Sequence, residues 1–192
     1  MVMMPRLPDL VVEEMSPEQR RIYDAIISGP RGVVPGPLRV WLNSPELAER
    51  AQMLGAFCRY GTVLPPALSE LAIITTGAYW KAGYEWAVHA PIALKAGVDA
   101  DVIEAIRTGK QPKFDRADAA ALYSFTYELL HNRKVSEDTY RTAEKELGKR
   151  ALVDLVGILG YYGLICMTIV AFQVPLPQDA PKPFPDTPGE SQ

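Results

Sequence analysis

Three residues within ELAIITTGAYWKAGYEWAVHAPIALKAG, residues 70–97, have the types and spacing to move a proton: Glu70, Glu85 and His89. Glu85 and His89 stand four positions apart, and helical neighbours at that spacing share a face. A carboxylate one turn from an imidazole orients the ring and stabilises its charged form. Glu70 opens the preceding apolar segment. It reads equally as a first-turn acid complementing a helix dipole and as a third member of the site. The neighbours Tyr84, Trp86, Ala87 and Val88 argue against a simply solvated Glu85. Tyr84, Trp86 and Tyr162 are the aromatic candidates for a substrate pocket, although Tyr161-Tyr162 also reads as core filling. A Glu–His pair alone falls short of the three or more protein ligands a metal usually takes, so neither metal nor cofactor is expected. His131, in His-Asn-Arg-Lys, reads as a cation at a helix C-terminus. The chain has no Gly-rich phosphate loop, nucleophile elbow or zinc-spaced Cys/His cluster.

The elements that must position these groups all read as helices, because no stretch alternates with period two. Ser16-Pro17-Glu18 and Ser44-Pro45-Glu46 are start signals, with serine as cap and proline in the first turn. They open a first helix to about Ser28, stopped by Gly29-Pro30-Arg31-Gly32, and a second from Pro45 to about Tyr60. Between them, Val33 to Asn43 holds two prolines and reads as an ordered loop. A third helix begins near Pro66. A tight turn at Lys81-Ala82-Gly83 leads to a fourth, from about Tyr84 to Lys95, with Gly97 as its cap and a kink expected at Pro91. Asp99 opens a fifth helix, Asp115 a sixth to about His131, and Ser136 a seventh ending at Leu147-Gly148. The last, Arg150 to Phe172, is apolar nearly all round and is expected to be central. The reading is an all-α fold with one domain of about eight helices over residues 16–173. An irregular N-terminal arm, 1–15, precedes it, and a Pro-rich tail, 174–192, follows.

The chain's 192 residues suffice for one sizeable core, and 20 basic against 23 acidic residues give a net charge of −3. No run of like charge suggests nucleic acid. The N-terminus, MVMMPRLPDL, lacks the apolar core of a secretory signal. The apolar run 151–174 is interrupted by Asp154 and several glycines, so it reads as a core or interface helix and not as a membrane span. Cys58 and Cys166, both in apolar contexts, fit buried thiols in a reducing cytoplasm. The apolar last helix and the two arms point to a homo-oligomer, with the arms crossing between subunits.

At these residues the chain resembles the carboxymuconolactone decarboxylase family, which includes the alkyl hydroperoxidase D-like proteins, over roughly Pro45 to Phe172. In the family's redox branch a glutamate is followed twelve residues later by Cys-x-x-Cys-x-x-x-His. Glu70 occupies the glutamate position and His89 the histidine, but Ala82 and Glu85 stand where the two thiols would be. In the decarboxylase branch a Glu-x-x-x-His pair is followed by Ala-x-x-x-Gly and an acidic short helix. Glu85 to His89, Ala93 to Gly97 and Asp101-Val-Ile-Glu104 match that pattern, and the Tyr-Glu-Trp-x-x-His form is similar to a largely uncharacterised subgroup. The resemblance implies a helical bundle that assembles into trimers or hexamers with sites near subunit contacts. It also implies cofactor-free chemistry on a small organic acid or lactone, by a decarboxylase or a related lyase or isomerase. Catalytic roles would fall to His89, Glu85 and Glu70. Two rivals are a thiol peroxidase, disfavoured because the redox cysteines are missing, and a non-catalytic helical oligomer serving as a binding module.

Overall fold

A computed structural model describes residues 5–29 and 32–185. The described residues are helical, with no strand among them. The elements are α1 Pro17–Ser28, α2 Gly36–Trp41, α3 Pro45–Tyr60, α4 Pro66–Tyr79, α5 Gly83–Ala96, α6 Ala100–Thr108, α7 Ala117–Asn132, α8 Glu137–Leu147 and α9 Lys149–Phe172, with a 3-10 turn at Val12–Glu14. The start signals are met unevenly: α3 begins at Pro45 but Ser44 makes no side-chain cap bond, and Arg116, not Asp115, stands at the cap of α7. Ser16 forms a reciprocal capping box with Gln19. Asp99 and Ser136 accept backbone N–H bonds at the starts of α6 and α8. Gly97 ends α5 at φ 100°, a left-handed conformation that costs glycine least. The turn from α4 to α5 places Lys81 at φ 52°, so the reversal forms without a glycine there. α5 remains helical on both sides of Pro91, which faces solvent.

Two helices share the centre of the fold: α4, which is buried along most of its length, and α9, which packs against α2, α3, α4, α5 and α8. Residues Leu68 to Gly77 of α4 are all buried, and the helix packs against α5, α6, α7 and α9. α9 buries one side, including Leu155, Ile158, Tyr162 and Cys166, but leaves Val153 73% exposed and Val156, Met167 and Val170 outward as well. An all-round apolar helix reads the same whether its second face is covered by its own chain or left bare. α9 has the length and hydropathy of a bilayer span, and half of that stretch is buried within the fold.

A further difference concerns the connection between α1 and α3. The segment expected as a loop contains α2, with Pro37 in its first turn and Leu38 and Trp41 buried. Trp41 Nε1 donates to Thr168 Oγ1 of α9 at 2.9 Å, so this helix is fixed by a tertiary bond. The described parts of the two arms make contacts with the helical body of this chain. Arg6 donates from its backbone N–H to the carbonyl of Phe172 and from its side chain to that of Ala171. The C-terminal segment folds back over α5 and α6: Arg107 donates to the Pro183 carbonyl at 2.8 Å, and Phe184 packs edge-on against Trp86. Residues 1–4 and 186–192 of the expected arms, and Pro30 and Arg31 of the first helix stop, lie outside the described residues.

Candidate functional site

The α4–α5 hairpin brings Glu70, Glu85 and His89 together although 19 residues separate the outer pair. His89 Nδ1 stands 2.7 Å from Glu70 Oε2 in a buried hydrogen bond. On the other side of the ring, Nε2 lies 3.1 Å from Glu85 Oε1, one turn back on α5, as an ion pair. The three residues are 6%, 4% and 3% exposed for Glu70, Glu85 and His89. Water therefore does little to screen their interaction. Tyr162 of α9 closes the ring's environment, edge-on at 5.3 Å between centroids.

Burial alone would push the His89 imidazole down. The charge of Glu85, the hydrogen bond to Glu70 and the added pull of both carboxylates outweigh it, raising the ring from 6.5 to about 9. At neutral pH His89 is thus an imidazolium, a donor at both nitrogens. A charged ring is what two facing carboxylates require, because a neutral one offers a single N–H. Nearby, burial, and then the charge of Glu85, push the Tyr162 phenol well above 10, while Arg59 of α3 pulls against them. The cluster can hold a proton at Nε2 and release it to an acceptor stronger than a carboxylate. The reverse transfer is equally available.

The thiols are poorly suited to redox work. Burial, and secondarily Asp154, raise Cys58 to about 11. Burial, and then Glu85, raise Cys166 well above 9. Neither thiol is paired in a disulfide. Since the thiolate is the reactive form, the folded protein is expected to leave both thiols unmodified by an aromatic disulfide reagent at pH 7.5. Both should react fully once unfolded in denaturant. Peroxide consumption with a dithiol should equal the buffer blank, and consumption abolished by Cys58→Ser or Cys166→Ser would contradict this.

Of the sequence candidates, Glu70, Glu85, His89 and Tyr162 converge. Tyr84 and Trp86 are occupied elsewhere: the Tyr84 hydroxyl accepts the Gly36 N–H at 3.0 Å, and Trp86 packs on Phe184. The two carboxylates take opposite sides of the ring, Glu70 at Nδ1 with the shorter contact and Glu85 at Nε2. Sequence reading also passed over Cys166 and Arg59 as neighbours of the cluster. Cys166 had a signal, standing four residues after Tyr162 on the same face of α9; Arg59 had none, because its proximity is purely tertiary. Among the described residues no group of three or more His, Cys, Asp or Glu side chains is arranged to hold a metal. His131 stacks on Tyr127 at the end of α7, in keeping with its reading as a helix-end residue. Cavities of about 550 and 300 Å³ open elsewhere on the molecule, and neither is lined by a member of the cluster.

Residues 45–124 match the carboxymuconolactone decarboxylase family, a span that includes α4, α5 and the three polar residues. No curated protein matches the sequence. Among solved structures, an uncharacterized peroxidase-related protein from Silicibacter sp. TM1040 superposes with a TM-score of 0.73 at 13% identity, covering 92% of this chain and 93% of that one. An uncharacterized peroxidase-related protein from Ralstonia eutropha JMP134, described as an alkylhydroperoxidase AhpD core, gives 0.73 at 13% identity over 91% and 93%. A protein of unknown function from Agrobacterium tumefaciens, a suggested antioxidant defence protein AhpD, gives 0.64 at 12% over 73% and 97%. At such identities the likeness speaks for the fold.

Proposed function

Residues 45–124 belong to the carboxymuconolactone decarboxylase family and the fold is AhpD-like; from that premise we propose a cofactor-independent enzyme that decarboxylates or isomerises a small organic acid or lactone by proton transfer. The observation that supports this most is the buried imidazolium between two carboxylates. When an activated acid loses carbon dioxide, the carbon–carbon bond breaks and its electron pair stays on the substrate as an enolate-like carbanion. The proton on His89 Nε2 goes to that carbon, and the neutral ring regains a proton from solvent. Glu70 retains the Nδ1 proton throughout, fixing the ring's orientation. Glu85 flanks Nε2 and offsets the positive charge there, so the ring stays loaded between turnovers. The test is release of carbon dioxide, or solvent deuterium uptake, across a panel of β-keto acids and carboxylated lactones. Turnover that depends on His89 supports the reading; no turnover across the panel counts against it.

A second reading, a non-catalytic helical module, draws on the same burial, since the three polar groups satisfy one another within one chain. A peroxidase reading has the buried thiols against it. We further propose a cytoplasmic homo-oligomer, a trimer or hexamer, acting on a small molecule and using neither nucleic acid nor membrane. Support for assembly comes from α3 and α9, which pack together. Met53 is 63% exposed, Leu54 and Phe57 also face outward from α3, and α9 adds its own apolar stripe. Sedimentation at micromolar concentration is expected to give a multiple of the 21.2 kDa chain mass. A single species at the chain mass would refute assembly.

A further inference from the structure

We propose that the cavity of about 550 Å³ between α4, α6 and the connection 109–116 is a second ligand site, for a monocarboxylate with an apolar body. The inference is independent of the reaction proposed above. The volume suits a small molecule, since ligand pockets span roughly 300–1,000 Å³. The floor is apolar and rigid: Leu68 and Leu71, one turn apart on α4, meet Val98 and Val102, and all four are buried. Phe114 forms one wall and is backed by the ring of Tyr123 at 5.3 Å. A floor of this kind takes a hydrocarbon or aromatic body.

The mouth sets the sign of the head group. Most charges there already have a local function. The Asp99 carboxylate accepts the Asp101 N–H, and Asp101 lies in the first turn of α6, where the helix dipole favours an acid. Arg116 is paired with Asp118. Lys110, Lys113 and Asp115 remain. The two lysines flank the buried Pro112 on the connection and line the cavity, and the charge of Lys110 also reaches Glu104, which is itself paired with Arg107. Two ammonium groups against the one Asp115 carboxylate, over an apolar trough, suit a single carboxylate on an apolar chain. Leu71 lines this cavity from the residue after Glu70, so both sites share α4 while the carboxylate faces α5.

The test uses sodium octanoate, with 1-octanol as the uncharged control of equal chain length, followed by calorimetry and by methyl-resolved NMR of the intact protein. Octanoate is expected to bind saturably, tighter than about 1 mM, and to shift the methyl signals of Leu68, Leu71, Val98 and Val102. The double variant Lys110→Gln/Lys113→Gln alters only exposed side chains. It should weaken octanoate about 5- to 30-fold, the upper range for two exposed ion pairs, and leave octanol unchanged. Ala105→Phe, which fills the mouth without removing a core side chain, should abolish binding of both. No saturable binding of octanoate, equal affinity for octanoate and octanol, or undiminished binding by the lysine variant would each overturn the proposal.

Discussion

Glu70→Ala is expected to destabilise the protein by about 1–3 kcal/mol, because it leaves the buried His89 Nδ1–H without its acceptor while Glu85 still faces the ring's charge. The bond at stake is the 2.7 Å contact to His89 Nδ1 between side chains 8% and 4% exposed. Glu70→Gln keeps a polar acceptor at that position and should cost less. Denaturant midpoints at one fixed protein concentration compare the three proteins. The same pair gives stability a pH dependence whose direction is fixed. His89 titrates near 9 in the fold against 6.5 as a free side chain, so the protonated ring favours the folded state. That contribution is fully present below pH 6.5 and is lost as the pH rises through about 9. A displacement of that size is worth about 3 kcal/mol across the window. In Glu70→Ala the dependence should shrink markedly. A variant as stable as the parent at pH 6 would show that the carboxylate is not coupled to the ring.

The second large effect concerns turnover. A positioned proton donor contributes about 10²–10⁴-fold to rate. His89→Ala should therefore lower kcat on any substrate of the proposed class by that order. The effect should fall on kcat more than on KM, since a proton delivered only in the transition state adds little to substrate binding. Glu85→Gln keeps shape and removes charge. It should reduce kcat less than His89→Ala does and move the alkaline limb of the pH–rate profile to lower pH, as the ring loses a stabilising charge. An unchanged kcat in folded His89→Ala would remove His89 from the chemistry and favour the non-catalytic reading.

What could be read from the chain beforehand follows the range of the forces involved. Ser16 with Pro17, Asp99 and Gly97 act through their own neighbours, and each sits at the helix end expected of it. The pairing of Glu85 with His89 was legible for the same reason, being one helical turn long. The hydrogen bond from His89 to Glu70 was not. Its acid also fitted a first-turn dipole, and only the packing of α4 against α5 decides between the two. α2 escaped notice because its proline-rich stretch carries loop composition, while Trp41 is anchored through Thr168, 127 residues on. The bare outward stripe of α9 was not legible because apolar content reports that a face will be covered, not by what. The fates of Tyr84 and Trp86 likewise depend on Gly36 and on Phe184, which no local pattern links to them.

The central claim is that His89 is a buried imidazolium maintained by two carboxylates, and its titration measures that directly. Imidazole NMR signals of isotope-labelled protein, followed from pH 5 to 10, need resolve only His89 and His131, the two histidines of the chain. His89→Gln supplies the assignment. The account predicts a His89 midpoint near 9, falling toward lower pH in Glu85→Gln and in Glu70→Gln. A midpoint near 6.5 in the parent protein, or one that moves in neither variant, would contradict it.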